Sequence, residues 1–377
     1  MTARPEMTVV GYPFSLTGMG EHGRSVCRAL WAADVRTRLV DVEAAPAVPD
    51  PDLAREFRPH LAAGLGGGIN IFCLNADEVP RVTALLDAGA FQRAHNIVYP
   101  AWELAAYPQP WARELERFDE VWAPSAFIRD AIAPAVHRPV LHMPLAVDLK
   151  LSGFLGRRWF AIPEDAFVVL FFFDAASFAD RKNPAGVLSA FERLVRRRPE
   201  ARLHAVIKFR GAFSDEAARR ALEDRLDALN DRVQAIDADL SDNEIKNLVR
   251  NADVFVSLHR AEGFGRGMAE AMALGRPAVA TGYSGNLDFM TPETSRLVDY
   301  ALVPVPPGAY PHGEGQVWAE PSPDHAADLI EALLDDPAGA RELGRRAQRH
   351  IRTHFSARAV GLRYAERLDA IGGSSAR

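Results

Sequence analysis

The strongest structural signal in this sequence is the segment Glu262-Gly-Phe-Gly-Arg-Gly-Met-Ala-Glu270. Two carboxylates bracket a glycine-containing turn and the first turn of a predicted helix. The preceding D-V-F-V-S-L, residues 253–258, is typical of a buried strand. The following residues 268–274 predict a helix, which a Gly-Arg-Pro sequence ends. A strand, a glycine-rich turn and a helix in this order aim backbone N–H groups and the positive end of a helix dipole at an anion.

The two carboxylates add a second kind of recognition to this anion site. Carboxylate oxygens accept hydrogen bonds from hydroxyl groups, so the site suits a ligand that is both phosphorylated and polyhydroxylated. A sugar nucleotide fits that description. The spacing of Glu262 and Glu270, together with the continuation A-M-A-L-G-R-P-A-V-A-T-G-Y-S-G-N-L-D-F-M at 271–290, resembles the retaining GT-B glycosyltransferases of the bacterial group 1 family, glycosyltransferase family 4.

The hydrophobic pattern along the chain predicts an α/β fold. Short apolar runs alternate with helical stretches, which indicates mostly parallel sheets covered by helices on both faces. The predicted strands begin near Thr8, Ile69, Asn96, Glu120 and Val140 in the first half and near Phe167, Leu203, Val233, Val254 and Ala278 in the second. The resemblance implies a GT-B architecture, in which two Rossmann-like domains face each other across a cleft and a C-terminal helix crosses back to the N-terminal domain.

The domain boundaries are predicted from a break in this alternation. The chain has 377 residues, more than one hydrophobic core usually organises. Residues 1–150 are predicted to form an N-terminal Rossmann-like domain on the acceptor side. The stretch 151–163 contains Gly and Pro and has no clear period, so we interpret it as the linker. Residues 164–355 then form the nucleotide-sugar-binding domain, and residues 356–377 form the crossover helix and tail.

Composition and charge argue against several classes of protein. The net charge is −6, whereas a nucleic-acid-binding protein presents a basic surface. Residues 1–150 contain 14 Lys and Arg against 18 Asp and Glu, so at most transient contact with a membrane is expected. The two cysteines show neither metal nor disulfide spacing, and the N-terminus lacks a signal-peptide core. These features favour a cytoplasmic protein.

Two segments of the N-terminal half are candidate contributors to a site. The sequence P-F-S-L-T-G-M-G, residues 13–20, follows the first predicted strand, and the amides of Gly18, Met19 and Gly20 are candidates for contact with a diphosphate. The resembled family uses its first Gly-rich loop between the donor phosphate and the acceptor. Glu103, in the W-E-L sequence after the strand at Asn96, is the candidate to orient the acceptor hydroxyl or to stabilise charge on the anomeric carbon. The alternative is that Glu103 forms only local contacts.

The second half supplies candidate cations and amides for a diphosphate. Arg181 and Lys182 lie in D-R-K-N-P before a predicted helix, where Arg offers a bidentate fork and Lys a point charge. Lys208, at the end of the strand predicted at 203–207, is a further candidate, with a plain surface role as the alternative. The donor-binding positions in and near the two turns are Gly263, Phe264, Gly265, Arg266, Glu270 and Gly285.

Arg266 departs from the resembled family, which usually has an apolar residue there. It either adds a phosphate contact or changes what the pocket admits. The eleven histidines form no metal constellation and are interpreted as surface or packing residues. Asp237-Ala-Asp239 has the spacing of a metal-binding Asp-x-Asp but stands in a different context. No cofactor is therefore expected.

The resemblance implies a retaining, metal-independent hexosyltransferase. Its donor is a UDP- or GDP-linked sugar, and its acceptor is the hydroxyl of a sugar, a lipid-linked sugar or another molecule in surface polysaccharide or glycoconjugate synthesis. Arg181 and Lys182 then stabilise the leaving group, Glu270 binds the ribose, and Glu262 holds a sugar hydroxyl near the reacting face. The alternatives are another GT-B enzyme, such as a sugar-nucleotide 2-epimerase, or a catalytically silent subunit that binds a nucleotide sugar.

Overall fold

The computed structural model describes residues 6–43, 50–66, 68–213 and 215–374. The chain divides into two compact units. The N-terminal unit comprises Met1–Asp148 together with Arg352–Arg377, and the C-terminal unit comprises Leu149–Ile351. In the part of the chain that the structure describes, no helix is both long and apolar enough to cross a membrane.

The N-terminal unit is a parallel six-stranded sheet flanked by helices. Its strands are β1 Met7–Gly11, β2 Thr37–Asp41, β3 Ile69–Phe72, β4 His95–Val98, β5 Glu120–Ala123 and β6 Val140–His142. Its helices are α1 Gly18–Ala32, α2 Pro51–Phe57, α3 Val79–Leu85, α4 Ala88–Gln92, α5 Gln109–Leu115, α6 Ala126–Ile132 and, after the C-terminal unit, α14 Ala357–Ser374. The strand order is β2-β1-β3-β4-β5-β6. The chain adds β2 on one side of β1 and then β3 to β6 on the other, so the topological switch point lies between β1 and β3.

The C-terminal unit repeats this architecture with a parallel six-stranded sheet and a separate antiparallel hairpin. Its strands are β7 Phe167–Asp174, β8 Leu203–Arg210, β9 Val233–Asp237, β10 Val254–Ser257, β11 Ala278–Thr281 and β12 Arg296–Val298, and the hairpin is β13 Tyr300–Pro304 and β14 Val317–Pro321. Its helices are α7 Ala179–Lys182, α8 Pro184–Arg197, α9 Glu216–Ala228, α10 Asp242–Asn251, α11 Arg266–Ala273, α12 Pro323–Asp335 and α13 Pro337–His354.

Short 3-10 helices complete the two units, at Arg58–His60, Ala76–Glu78, Arg157–Phe160, Ala175–Ser177, Asn230–Arg232 and Gly285–Asp288. The predicted fold class is confirmed, because both sheets are parallel and carry helices between successive strands.

The order of strands in the C-terminal sheet, β9-β8-β7-β10-β11-β12, is that of a dinucleotide-binding Rossmann fold. Strand β7, F-V-V-L-F-F-F-D, is apolar on both faces because helices cover both sides of a parallel sheet. Val169, Phe171 and Phe173 lie in the core that α8 completes. Phe172 points to the other face, where its ring centroid is 5.1 Å from that of Phe255. The middle of the sheet is therefore a rigid base for the loops at its carboxyl edge.

The segment 151–163, predicted as a linker, lies in the C-terminal unit, where side-chain amides of α10 hold its backbone. Asn243 Oδ1 accepts from Ser152 N–H at 3.0 Å, and Asn247 Oδ1 accepts from Leu155 N–H at 3.0 Å. These bonds satisfy backbone groups of a stretch that precedes the 3-10 helix Arg157–Phe160 and has no regular secondary structure of its own. Hydrogen bonds to α10 thus make residues 151–163 part of the C-terminal unit.

Candidate functional site

The carboxyl ends of β7 and β10 lie side by side, at the point where the strand order of the C-terminal sheet reverses. Open α/β sheets bind ligands at such a switch point, because the loops from the two strands diverge there and leave a crevice. The loop after β7 carries Arg181 and Lys182, and the loop after β10 carries Glu262. The structure brings these three predicted residues into contact.

Glu262 forms ion pairs with both cations. Lys182 Nζ lies 2.5 Å from Glu262 Oε1, and Arg181 Nη1 lies 3.4 Å from Glu262 Oε2. Burial by itself would raise the pKa of the Glu262 carboxyl, but Lys182 and then Arg181 outweigh it and lower this pKa to about 2. The carboxylate is therefore charged at neutral pH and is held by two cations at the edge of the sheet.

The backbone of Glu262 is fixed from both sides. Its N–H donates to Ser284 Oγ at 2.8 Å, and its carbonyl accepts from Gly285 N–H at 2.9 Å. A Cβ on Gly285 would lie only 1.8 Å from the carbonyl oxygen of Gly263, so no larger residue fits there. The turn after β10 and the turn after β11 thus interlock, which explains why the S-G-N sequence accompanies the E-G-F-G turn.

A buried polar network that the sequence analysis missed supports this turn. His259 is fully buried, with Nδ1 3.1 Å from Ser257 Oγ and Nε2 3.1 Å from Asn286 Oδ1. Thr281 Oγ1 donates to the His259 carbonyl at 2.6 Å. Burial lowers the pKa of His259, so the ring stays neutral at physiological pH. His259 therefore ties β10 to the turn after β11 through hydrogen bonds.

Arg181 is anchored by the carbonyls around it. Its Nη1 donates to the Ala261 carbonyl at 2.9 Å and its Nη2 donates to that of Ser177 at 3.1 Å, and its side chain is 3% exposed. The side chain of Lys182 is 20% exposed, so its ammonium is the more accessible of the two cations. Both residues lie in the single turn α7, directly before the longer helix α8, which begins at Pro184.

Asn183, the second residue of the K-N-P sequence, has a structural role in this loop. It adopts the left-handed conformation, with φ 54°, and its Oδ1 caps α8 by accepting from Gly186 N–H at 2.9 Å. Its Nδ2 donates to the Leu258 carbonyl at 2.8 Å, which fastens the loop after β7 to the end of β10. This role was not predicted from the sequence, although Asn followed by Pro is a known signal for a helix start.

Helix α11 begins at Arg266, directly after the predicted anion turn. Gly265 precedes it with φ +91°, a conformation that favours glycine. The amides at Gly265 and Arg266 belong to the first turn, where a helix has no acceptors of its own. Arg266 Nη2 lies 3.6 Å from Glu270 Oε1 one turn further along, and both side chains are largely buried. The ion pair places the unusual Arg266 next to the carboxylate predicted to bind ribose.

Lys208 lies inside β8, not at its end, because the strand continues to Arg210. It is opposite Phe172 of β7 in the sheet and is 5% exposed. Burial, and then the neighbouring charge of Arg210, lower the pKa of Lys208. Lys208 is therefore one strand away from the switch point, on the β8 side.

The loop after β1 in the N-terminal unit is organised by two side chains. Thr17 caps α1 and accepts from Gly20 N–H at 3.3 Å, so that amide already has an acceptor. Gly18 and Met19 are the first two residues of α1. Arg24, which is 4% exposed, donates to the Ser15 carbonyl at 2.6 Å from the next turn of the helix. Of the three predicted amides, those of Gly18 and Met19 begin the helix.

Glu103 is half-buried after β4, between the buried side chains of Trp102 and Leu104. Asn75, which follows β3, holds the start of this loop by accepting from Ala101 N–H at 3.1 Å. Burial raises the pKa of the Tyr107 hydroxyl, and the charge of Glu103 adds to this effect. The Glu103 carboxylate therefore lies near Tyr107, in the loop after β4.

Both aspartates of the D-A-D sequence pair with an arginine. Asp237 lies 3.6 Å from Arg219, and Asp239 lies 3.7 Å from Arg210. Among residues 6–43, 50–66, 68–213 and 215–374, no three His, Cys, Asp or Glu side chains are grouped so that they could hold a metal ion.

A GT-B glycosyltransferase is the class that this fold and this switch-point site define. The profile of the family described as "Glycosyl transferases group 1" matches residues 158–350, just over half of the sequence. The chain belongs to this family.

Three known proteins show the extent of the likeness. Mannosylfructose-phosphate synthase of Agrobacterium fabrum is 34% identical over 102 residues, which span 26% of this chain and 22% of that protein. The crystal structure of Anabaena HepE with UDP and glucose has a TM-score of 0.72 at 15% identity, with 97% of this chain and 99% of that chain covered. Sucrose-phosphate synthase of Thermosynechococcus elongatus has a TM-score of 0.64 at 18% identity, with 98% and 100% covered.

Proposed function

We propose that this chain is a retaining, metal-independent hexosyltransferase. It moves a hexosyl group from a UDP- or GDP-linked sugar to a hydroxyl acceptor. The observation that carries the proposal is the meeting of Glu262 with Arg181 and Lys182 at the switch point, next to the first turn of α11. Structures of Anabaena HepE with UDP and glucose and with UDP-glucose support a nucleotide-sugar donor, since that protein shares the fold.

Leaving-group stabilisation is the task of the cations in this mechanism. When the bond to the anomeric carbon breaks, negative charge grows on the bridging oxygen of the diphosphate. Arg181 and Lys182 are fixed before the reaction and neutralise that charge without reorganisation. The amides from Gly263 to Arg266, in the turn that leads into α11, add backbone donors, and α11 adds its helix dipole to the same task. Gly285 supports this turn, because its N–H donates to the Glu262 carbonyl.

The two carboxylates take different parts of the donor. Glu270, one turn into α11, accepts hydrogen bonds from the ribose hydroxyls, and Arg266 holds its carboxylate in place. Glu262 accepts from a hydroxyl of the transferred sugar. We favour front-face attack within an ion pair over a covalent intermediate, because Glu262 is assigned to a sugar hydroxyl and no other carboxylate is assigned to a position beneath the anomeric carbon.

The N-terminal unit supplies the acceptor side in this proposal. The Gly18 and Met19 amides, at the start of α1, are proposed to contact the donor phosphate, and Glu103 is proposed to orient the acceptor hydroxyl. The acceptor is a sugar, a lipid-linked sugar or another hydroxyl compound, in cytoplasmic assembly of a surface polysaccharide or glycoconjugate. Residues 1–150 and 164–355 act as the acceptor and donor domains, with 356–377 returning to the first.

Calorimetry with UDP and GDP, followed by a panel of their sugars, tests the proposal. We expect saturable binding of one nucleotide and turnover of its sugar, with an acceptor-dependent product whose anomeric configuration, measured by NMR, equals that of the donor. Release of free nucleotide and an epimer without any acceptor indicates the 2-epimerase. Binding without any turnover indicates the silent subunit.

A further inference from the structure

The diphosphate position at the switch point already holds an anion. The Glu262 carboxylate presents one oxygen to Lys182 Nζ at 2.5 Å and the other to Arg181 Nη1 at 3.4 Å. A phosphate group is bound in the same way, by cationic side chains that donate to two of its oxygens. A ligand that brings its own phosphates to these cations competes with Glu262.

We propose that Glu262 is an internal placeholder for the donor diphosphate, and that diphosphate binding to Lys182 and Arg181 displaces its carboxylate and frees it for the sugar. This inference rests on the proposed function. It assigns Glu262 two successive partners, the cations before the donor binds and a sugar hydroxyl afterwards.

The geometry allows the side chain to move while the backbone stays in place. Hydrogen bonds to Ser284 and from Gly285 hold both backbone groups of Glu262, so displacement requires only a change of side-chain rotamer. Access is from the Lys182 side, where the side chain is 20% exposed, against 3% for Arg181. A diphosphate therefore reaches Lys182 first.

Charge favours the exchange only for a sufficiently charged ligand. The two cations and one carboxylate leave a single net positive charge, which a neutral nucleoside does not complement. A diphosphate carries at least two negative charges and replaces the one that it displaces. The placeholder thus discriminates against ligands that lack a diphosphate, and keeps the buried Arg181 paired before a donor binds.

Calorimetry with inorganic pyrophosphate and with UDP tests this exchange. Because Glu262→Gln removes the competing anion, we expect this variant to bind pyrophosphate roughly tenfold more tightly than the wild type, and UDP in the same direction. Glu342→Gln is the matched control. Its carboxylate pairs with Arg345 on α13, so the variant loses the same charge elsewhere in the unit and is expected to bind like the wild type.

A second variant covers the case in which Glu262→Gln does not fold. Glu262→Asp keeps the negative charge but withdraws it by one methylene, and its affinity for pyrophosphate is expected to lie above that of the wild type. If the folded variants bind pyrophosphate no more tightly than the wild type does, the placeholder role of Glu262 is wrong. The proposed function stays intact in that case, provided that the wild type still binds UDP. Failure of the wild type to bind either UDP or GDP overturns both.

Discussion

Lys182 and Glu262 are 80 positions apart in the sequence, and their charged atoms are 2.5 Å apart in the structure. Each belongs to a different loop of the C-terminal sheet, and Arg181 lies beside them at 3.4 Å from the same carboxylate. This contact joins the two predicted parts of the donor site, the cations and the first carboxylate.

Replacing Lys182 by Ala is expected to lower kcat about 10²-fold to 10³-fold, the loss seen when one preorganised donor to a developing anion is removed. Affinity for the bare nucleoside should barely change, because Lys182 acts on the diphosphate. Lys150→Ala, which removes an exposed lysine of the same unit, serves as control. A Lys182 variant that loses nucleoside affinity and keeps its turnover contradicts the leaving-group role.

The two carboxylates are expected to separate binding from turnover. Glu270→Ala should raise the KM for the donor, because the ribose contact is made equally in ground and transition states. Glu262→Ala should chiefly lower kcat. Steady-state kinetics with a competent donor measures both. Wild-type kinetics in both variants would show that this turn is not the donor site.

Acid should weaken the contribution of Glu262 to stability. Its pKa is about 2 in the folded protein, against 4.5 for an unperturbed glutamate, so the folded state prefers the charged form. The resulting stability, about 3 kcal/mol as an upper value, is present above pH 4.5 and is lost as the pH falls from 4.5 to about 2. Urea unfolding of the wild type and of Glu262→Gln at pH 7, 5, 4 and 3 measures it. The stability difference between the two proteins should shrink with falling pH, and a constant difference refutes the prediction.

Transfer activity is expected to persist in EDTA. The groups assigned to the leaving diphosphate are two cations and backbone amides, which need no divalent ion to neutralise its charge. Initial rates with and without chelator, with added Mg²⁺ or Mn²⁺ as the control, measure this. Complete loss on chelation, restored by a divalent ion, would show that a metal takes part.

Gly285→Ala should destabilise the C-terminal unit by roughly 3 kcal/mol or prevent its folding, because the new methyl group meets the Gly263 carbonyl at 1.8 Å. Gly156→Ala is the control, since nothing lies within 4 Å of its Cβ position and its φ is −85°. Thermal unfolding followed by circular dichroism compares the two variants. Similar melting temperatures would mean that the interlocked turns can separate at little cost.

The sequence was sufficient to predict the fold class, because buried parallel strands appear in it as short apolar runs between helical stretches. Strand β2, T-R-L-V-D, was missed because its charged residues obscure a short apolar pattern. Strand β8 was predicted too short, because Lys208 and Arg210 look like the end of a strand. The hairpin of β13 and β14 was also missed, because its two strands follow each other without a helix between them and so lie outside the alternation of strands and helices from which the other strands were predicted.

Sequence motifs predicted which residues belong to the candidate site, but they did not predict which of these residues contact one another. The E-G-F-G-R-G-M-A-E and D-R-K-N-P sequences each pointed to a loop, but sequence spacing says nothing of the distance between two loops. The ion pairs of Glu262 with Lys182 and Arg181, and the Asn183 bond to the Leu258 carbonyl, arise from the order of strands in the sheet. The roles assigned to Glu103, Lys208 and the other site residues stay predictions.

Helix α14 has a consequence for how the protein is made. It packs on α1 so closely that a Cβ on Gly361 would lie 1.9 Å from the Ala29 carbonyl, and Arg367 Nε reaches Glu120 of β5 at 3.1 Å. The N-terminal unit therefore needs a segment that the ribosome makes only after the whole C-terminal unit. During synthesis the face of α1 around Ala29 stays uncovered while Leu149–Ile351 emerges and folds. The half that is translated first is thus the half that is finished last.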